Sequence, residues 1–288
     1  MNQLSMFDPK PTPEKTGNTS GAALGVKNAY LIYVPKGRAR EYSSLACNTY
    51  RGCDHACEYC FGPSTTRKTT EEFHRPSVRG ERDAFLRKVE KEARKYQADG
   101  IRDRVLLCFT YDPYQTFDVF HEITRSTIEI LHRYGLPVQV LTKGGSRAMR
   151  DIDLFSPADA FASTLTFLDD KSSLQWEPGA ALPADRIATL SAFHLAGIPT
   201  WVSLEPVLNP AAGLAIIRET APFVDLFKVG KLNYHPLALE IDWKLWAQGA
   251  VATLQDLGYH EIDADDQLER GEKGFYVKHD LRPFLSTR

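Results

Sequence analysis

Four of the five cysteines fall between Leu45 and Pro63, in the string Leu-Ala-Cys-Asn-Thr-Tyr-Arg-Gly-Cys-Asp-His-Ala-Cys-Glu-Tyr-Cys-Phe-Gly-Pro. Three of them, Cys53, Cys57 and Cys60, are spaced C-x3-C-x2-C, close enough for one loop to wrap its sulfurs around a single inorganic centre. Thiolates are soft ligands, and a compact all-sulfur site selects zinc or an iron-sulfur cluster over magnesium or calcium. A [4Fe-4S] cluster normally takes four cysteines, so a loop that offers three leaves one iron open to a cofactor. Structural zinc takes four ligands, and Cys47 would supply the fourth in a C-x5-C-x3-C-x2-C set. A disulfide framework fits less well, because the cysteine count is odd and the chain is long.

The string Asn48-x-Tyr50-Arg51-Gly52-Cys53-x-His55-x-Cys57-x-Tyr59-Cys60, with an aromatic residue just before the last cysteine, resembles the signature of the radical S-adenosylmethionine enzymes, in the branch that includes spore photoproduct lyase. The resemblance implies that Cys53, Cys57 and Cys60 hold a [4Fe-4S] cluster and that S-adenosylmethionine chelates the open iron. It also implies that one electron cleaves this cofactor to a 5′-deoxyadenosyl radical, which the protein positions and shields. An electron donor such as flavodoxin or ferredoxin is then implied, with a nucleic acid substrate and a companion substrate-presenting protein as further partners. One departure stands out: Phe61 follows Cys60, where the lyase has a tyrosine that relays the radical. A phenylalanine has no phenolic hydrogen to pass on, which speaks against repair of spore DNA.

The elements that must position these residues follow from composition and periodicity. With 288 residues and 43% hydrophobic content, the chain is long enough to bury one sizeable core. Lysine plus arginine (35) nearly balance aspartate plus glutamate (37), which excludes a globally basic nucleic-acid binder but leaves local patches open. No charged N-terminal region precedes an apolar core, and no apolar run approaches the roughly 18 residues of a membrane span. A cytoplasmic protein without a membrane anchor is the expectation, in a compartment reducing enough for thiolates.

Residues 1–25, rich in Pro, Gly, Asn and Ser, read as a mobile tail, and Ala29 to Val34 as an added edge strand. Residues 67–104 carry twelve Lys or Arg against eight Asp or Glu. Phe85, Leu86 and Val89 keep helical spacing there, so the stretch reads as a helix with an ion-paired solvent face. The alternative is that Arg75, Arg79 and Arg82 hold an anionic substrate. Beyond it, apolar strands alternate with helices. The strands are Val105–Phe109, Pro137–Leu141, Ala160–Leu165, Thr200–Leu204 and Val224–Val229. The helices are His121–Tyr134, Arg147–Phe155, Pro183–Ala196, Gly213–Ala221 and Ile241–Leu257. Gly135 and Gly197 sit where helix C-caps belong. With the strand before Cys47 this makes about six βα units, and such repeats imply parallel strands under helices. Six units match the α/β partial (β/α)6 TIM-type barrel that the resemblance implies, over residues 26–260, with 261–288 closing the barrel.

In such barrels the chemistry gathers at the C-terminal strand ends. The second strand ends in Cys108-Phe-Thr-Tyr-Asp-Pro-Tyr-Gln115, where the resemblance makes Thr110 and Asp112 candidates for the cofactor amino group. Cys108 reads as a small buried hydrophobe or, by resemblance, as a donor that returns a hydrogen atom to a product radical. Lys143 ends the third strand and would pair with the cofactor carboxylate. Ser163, Thr164 and Thr166 end the fourth, and the resemblance favours Ser163 as the cofactor contact. Tyr59 joins the same set from the cysteine loop. Glu205 ends the fifth and needs a ribose diol or a lysine as partner, with Val207 and Leu208 beside the adenine. Lys231, Asn233, Tyr234 and His235 end the sixth, on the substrate side. His55 and Arg51 read as packing residues of the loop, and the remaining histidines lack metal-ligand spacing.

Overall fold

The structure is a computed structural model that describes residues 31–264, 266 and 269–285. The tail expected over 1–25 lies outside them. Strands alternate with helices as β1 (Ile32–Tyr33), β2 (Leu45–Cys47), β3 (Tyr50–Arg51), β4 (Ser77–Val78), β5 (Val105–Leu107), β6 (Val138–Thr142), β7 (Ala160–Thr164), β8 (Thr200–Leu204), β9 (Leu226–Val229), β10 (His260–Glu261) and β11 (Gly274–Val277). The helices are α1 (Gly62–Thr66), α2 (Thr70–Phe73), α3 (Arg82–Ala98), α4 (Thr116–His121), α5 (Ile123–Arg133), α6 (Asp170–Trp176), α7 (Pro183–Leu195), α8 (Pro210–Thr220) and α9 (Trp243–Asp256).

The main sheet runs β1-β2-β5-β6-β7-β8-β9-β11-β10, parallel throughout except for the antiparallel edge strand β1. The six expected units are β2 and β5 to β9, so the fold is the partial barrel. The C-terminal segment adds β11 beside β9 and β10 beyond it. Strand residues alternate between two cores, as period-2 geometry requires. Ala46, Leu106, Ala160, Ala162, Trp201, Leu226 and Tyr276 fill the barrel interior, whereas Val105, Val140, Phe161, Val202, Phe227 and Val277 meet the helices outside. Phe161 stacks on Phe193 of α7 with ring centroids 3.8 Å apart.

Several boundaries differ from expectation. The helix expected over His121–Tyr134 is α5, Ile123–Arg133, and a left-handed backbone at Glu122 (φ 47°) separates it from α4, which ends at His121. Arg147–Phe155 is covered by a 3-10 segment, Gly145–Leu154. α8 starts at Pro210 rather than Gly213, since Asn209 caps it by accepting from the N–H groups of Ala211 and Ala212. The second barrel strand ends at Leu107, leaving Cys108 and Phe109 in the loop beyond it. Gly135 and Gly197 do take positive φ (69° and 88°) after α5 and α7. In α3, Phe85, Val89, Ala93 and Tyr96 form the buried stripe, and its solvent face carries pairs such as Lys95–Asp99, in keeping with the solvated-helix reading.

A strap no sequence signal announced runs through the barrel. Residues Gly37–Glu41 form a 3-10 turn whose partners are the interior side chains of distant strands. Tyr276 donates its hydroxyl to Glu41 at 3.0 Å, Lys228 donates to Glu41 O at 2.6 Å, and Gln139 donates to Tyr42 O at 2.7 Å. Ser43 and Ser44 then reach Arg104 O and Asp103 at the N-terminal strand ends. Tyr42 thereby divides the interior into an upper cavity of about 390 Å³ at the C-terminal strand ends and a lower one of about 300 Å³, and it lines both. Among the described residues no helix is long and apolar enough to cross a membrane.

Asp159 ties α5 to the start of β6. Its carboxylate accepts from Val138 N–H at 2.7 Å, from the Ser156 N–H and hydroxyl at 2.8 Å each, and lies 2.8 Å from His132 Nε2. Burial alone would raise its pKa, but the His132 and backbone contacts hold it below the ordinary value. A depressed carboxylate stabilises the fold above its unfolded pKa of about 3.9 and loses that contribution as pH falls through the lower folded value. Asp159→Asn is expected to cost about 1–3 kcal/mol in urea unfolding at neutral pH. The difference from wild type should shrink as the pH is lowered through that acid range.

Candidate active site

The loop between β3 and α1 carries Cys53, Cys57 and Cys60, and it has no ladder of its own, so its shape is imposed from outside. Cys53 N–H donates to Phe73 O at 2.9 Å, Glu58 N–H to Trp176 O at 2.9 Å, and Gly179 N–H to His55 O at 2.9 Å. Gln115 bridges Gly52 O (3.3 Å) and Asp54 N–H (2.9 Å), and Asp54 caps α4 through the N–H groups of Thr116 and Phe117. His55 is fully buried, its Nε2 2.9 Å from Arg147 and its Nδ1 3.4 Å from Asp112. Burial and the neighbouring Arg147, Lys143 and Arg186 charges push it down to about 4, against the pull of Asp112, so it is neutral at physiological pH. It serves as a packing and bonding residue of the loop, as expected, and Arg51 is exposed.

Cys53, Cys57 and Cys60 all line the upper cavity, and none of them is in a disulfide. Desolvation pushes the Cys57 thiol up to about 12 and raises the other two. Cys47 is fully buried with the outer apolar core on β2 and does not line this cavity. Cys47 therefore does not join the other three cysteines at this cavity.

The strand ends bring most of the expected residues to the same cavity: Tyr59, Cys108, Thr110, Asp112, Lys143 and Glu205. Asp112 is buried and accepts from Thr142 Oγ1 (2.6 Å), Lys143 N–H (2.7 Å) and Tyr114 N–H (2.8 Å). Burial would raise its carboxyl, but the bonds from Lys143 N–H and the Thr142 hydroxyl and the Lys143 ammonium hold it below the usual range, so it is ionised. Asp112 thus fixes the rim, leaving the Thr110 hydroxyl and the Lys143 ammonium as the groups available to a ligand. The Lys143 ammonium lies 5.8 Å from the Tyr59 ring centroid. Cys108 is buried, with its sulfur 3.4 Å from the Thr49 hydroxyl. Desolvation pushes it up to about 12, so it is a neutral thiol.

Ser163 is placed differently. It shares the outer face of β7 with Phe161, donates its hydroxyl to Thr142 O at 3.0 Å and does not line the cavity; Thr164, one residue on, faces inward and does. The alternation of small Ala160 and Ala162 with Phe161 carries that parity in the sequence. Val207 and Leu208 belong to the outer core, and Pro206 lines the cavity in their place. At the last rim Lys231, Asn233 and Tyr234 line the cavity, while His235 caps a turn through Leu237 N–H and packs on Trp176. Arg79 donates to Asn48 O, Arg82 to His121 O and Ser126, and neither they nor Arg75 line the cavity.

The residues that sequence reasoning missed are the partners of these groups. Glu205 is satisfied within the protein: it accepts from Tyr42 Oη at 2.6 Å and Asn233 Nδ2 at 3.2 Å, and it pairs with Lys278. Lys278 is 2% exposed and its ammonium lies 4.2 Å from the Tyr42 ring centroid. Lys278→Met would strand Glu205 in the barrel. Because Glu205 keeps some contact with the cavity (17% exposed), the expected loss in denaturant unfolding is about 3 kcal/mol, the low end for breaking a buried pair. Lys278→Met combined with Glu205→Gln should recover part of it.

No protein-family model matches the chain. In sequence it is 29% identical over 170 residues to an uncharacterized protein of Mycobacterium tuberculosis, an alignment covering 56% of this chain and 48% of that protein. It is 23% identical over 189 residues to an uncharacterized protein of Methanocaldococcus jannaschii, covering 65% and 69%. The chain thus spans about half the length of the mycobacterial relative. In structure it is similar to spore photoproduct lyase complexed with dinucleoside spore photoproduct (TM-score 0.61, 15% identity, 93% of this chain and 86% of the other). It is also similar to SuiB of Streptococcus suis bound to S-adenosylmethionine (TM-score 0.55, 12% identity, 81% and 46%). Geometry and likeness agree on the architecture: this chain has the partial-barrel fold that spore photoproduct lyase adopts.

Proposed function

We propose that the chain is a radical S-adenosylmethionine enzyme acting on a nucleic acid or nucleotide. The observation that carries this reading is the shared cavity: three cysteines of one loop line it together with the Thr110, Lys143 and Glu205 rims, while Cys47 is turned away. Three soft donors without a fourth suit a [4Fe-4S] cluster with one open iron, and about 390 Å³ is in the range of small-molecule sites. When bound, such a cluster supplies the electron that cleaves S-adenosylmethionine to a 5′-deoxyadenosyl radical. Lys143, ionised and fixed by its backbone bond to Asp112, would hold the cofactor carboxylate, and Thr110 the amino group. Thr164 stands in for Ser163 at the β7 rim. Because Glu205 already has its lysine, its role is to keep Tyr42 and Asn233 in place below and beside the cofactor.

Cys108 fits the hydrogen-donor role, since its thiol lines the cavity and burial keeps it protonated. The mouth favours an anionic substrate with a ring. Lys36, Lys231 and Arg38, the last paired with Asp280 at 3.2 Å, line it, and Tyr234, 85% exposed, presents its ring there with the Arg38 guanidinium 5.5 Å from its centroid. A peptide or small metabolite is the second reading, favoured by Arg79 and Arg82 being spent on the protein itself. A flavodoxin- or ferredoxin-type reductant and a cytoplasmic location belong to the same proposal.

Anaerobic reconstitution with iron and sulfide should give a brown protein that forms 5′-deoxyadenosine from S-adenosylmethionine and dithionite. Cys57→Ala should lose both cluster and turnover, and a Cys57→Ala variant with full cluster content would falsify the ligand set. Cys108→Ala should still form 5′-deoxyadenosine. Binding of a single-stranded oligonucleotide should weaken steeply with salt; binding that ignores salt, or none, favours the metabolite reading.

A further inference from the structure

After β7 the chain folds back onto the cysteine loop. Besides the Trp176 and Gly179 bonds already described, Ala181 N–H donates to Lys143 O at 2.9 Å. Gly179 passes so close that a Cβ there would sit 2.2 Å from Asp54 O and 2.8 Å from the His55 Cα. At the centre of this clamp Glu177 is 1% exposed. Its Oε1 accepts from the Tyr59 hydroxyl and, at 3.2 Å, from the Thr166 hydroxyl, and its Oε2 lies 2.6 Å from Arg186 Nη2. Arg186, also 1% exposed, gives its other donors to Ala181 O (2.6 Å), Thr164 O (3.1 Å) and Ser173 Oγ (3.4 Å). Neither Glu177 nor Arg186 lines the upper cavity.

We propose that Glu177 is a positioning residue for the cysteine loop: through Tyr59 it fixes the turn that carries Cys57 and Cys60, and its charge, balanced by Arg186, sets the field in which a cluster there is reduced. This rests on the cluster assignment above. Two facts make the charge matter as well as the contact. The pair is dry, where charges act over longer range than in water. Cys57 also feels Lys143 and Arg186 on one side of the balance and Glu177 on the other. Cluster potentials respond to local charge and to groups outside the ligand set. Reduction adds negative charge, so removing Glu177's charge, with Arg186 and Lys143 left in place, makes reduction easier. Removing both charges of the pair restores the balance.

Glutamine can still accept the Tyr59 hydroxyl, so Glu177→Gln separates charge from contact. The test is an anaerobic redox titration of the reconstituted chain, followed by the electron paramagnetic resonance of the reduced cluster, with iron and sulfide counted per chain. Glu177→Gln should raise the midpoint potential, and Glu177→Gln with Arg186→Gln should bring it back toward wild type. Tyr59→Phe should leave the potential near wild type while lowering the iron retained. A Glu177→Gln potential equal to wild type, or a double variant shifted further than the single, overturns the proposal. Should the single variant fail to fold around an unpaired Arg186, the double variant decides alone: a wild-type potential supports the balanced pair and a displaced one refutes it. A wild-type chain that takes up no cluster sinks the cluster assignment itself, and does so before any variant is made.

Discussion

A carboxylate taken out of water must be given donors, at a cost of several kcal/mol if they are missing, and this requirement organises the upper half of the barrel. Asp112 draws its donors from the end of β6 and so locks the loop after β5 against the next rim. Glu177 draws them from the cysteine loop, from Thr166 and from α7. Glu205 draws them from the strap, from the β9 rim and from β11. Each acid therefore sits where segments with no backbone ladder between them have to meet. Apolar packing tolerates small slips; a buried ion does not, and the loop bearing three sulfurs is held to the rims by the less forgiving kind of contact.

The strap explains how an incomplete barrel can still enclose a cavity. Six βα units leave the circle open, and Gly37–Glu41 with Tyr42 lies within it, bonded to β6, β8, β9, β11 and the His279 N–H just beyond β11. The Lys228 ammonium, inside the barrel, lies 5.5 to 5.9 Å from the ring centroids of Tyr42, Trp201 and Tyr276, an arrangement that offsets part of the cost of burying it. Tyr42 is the floor between the two cavities.

How much was legible beforehand follows from the range of each interaction. The C-x3-C-x2-C spacing, the beat of strands and helices and the places of Thr110, Asp112, Lys143 and Glu205 at strand ends are local patterns, and local patterns are written in consecutive residues. The start of α5 at Ile123 rather than His121 was invisible because a single left-handed residue, Glu122, leaves no mark in the apolar spacing. The exchange of Ser163 for Thr164 is a parity question that the small residues at 160 and 162 could have settled.

By itself, then, the sequence determined the chemistry on offer: three thiols in one turn, a parallel α/β scaffold, and polar groups at the rims. Only the tertiary structure decided which groups are spent and which are free. Tyr59 and Glu177 stand 118 residues apart, Glu205 and Lys278 73, and Glu41 and His279 238. The physical reason is that a buried charge selects its partner by distance in space once water is gone, and nothing in the spacing along the chain records that distance.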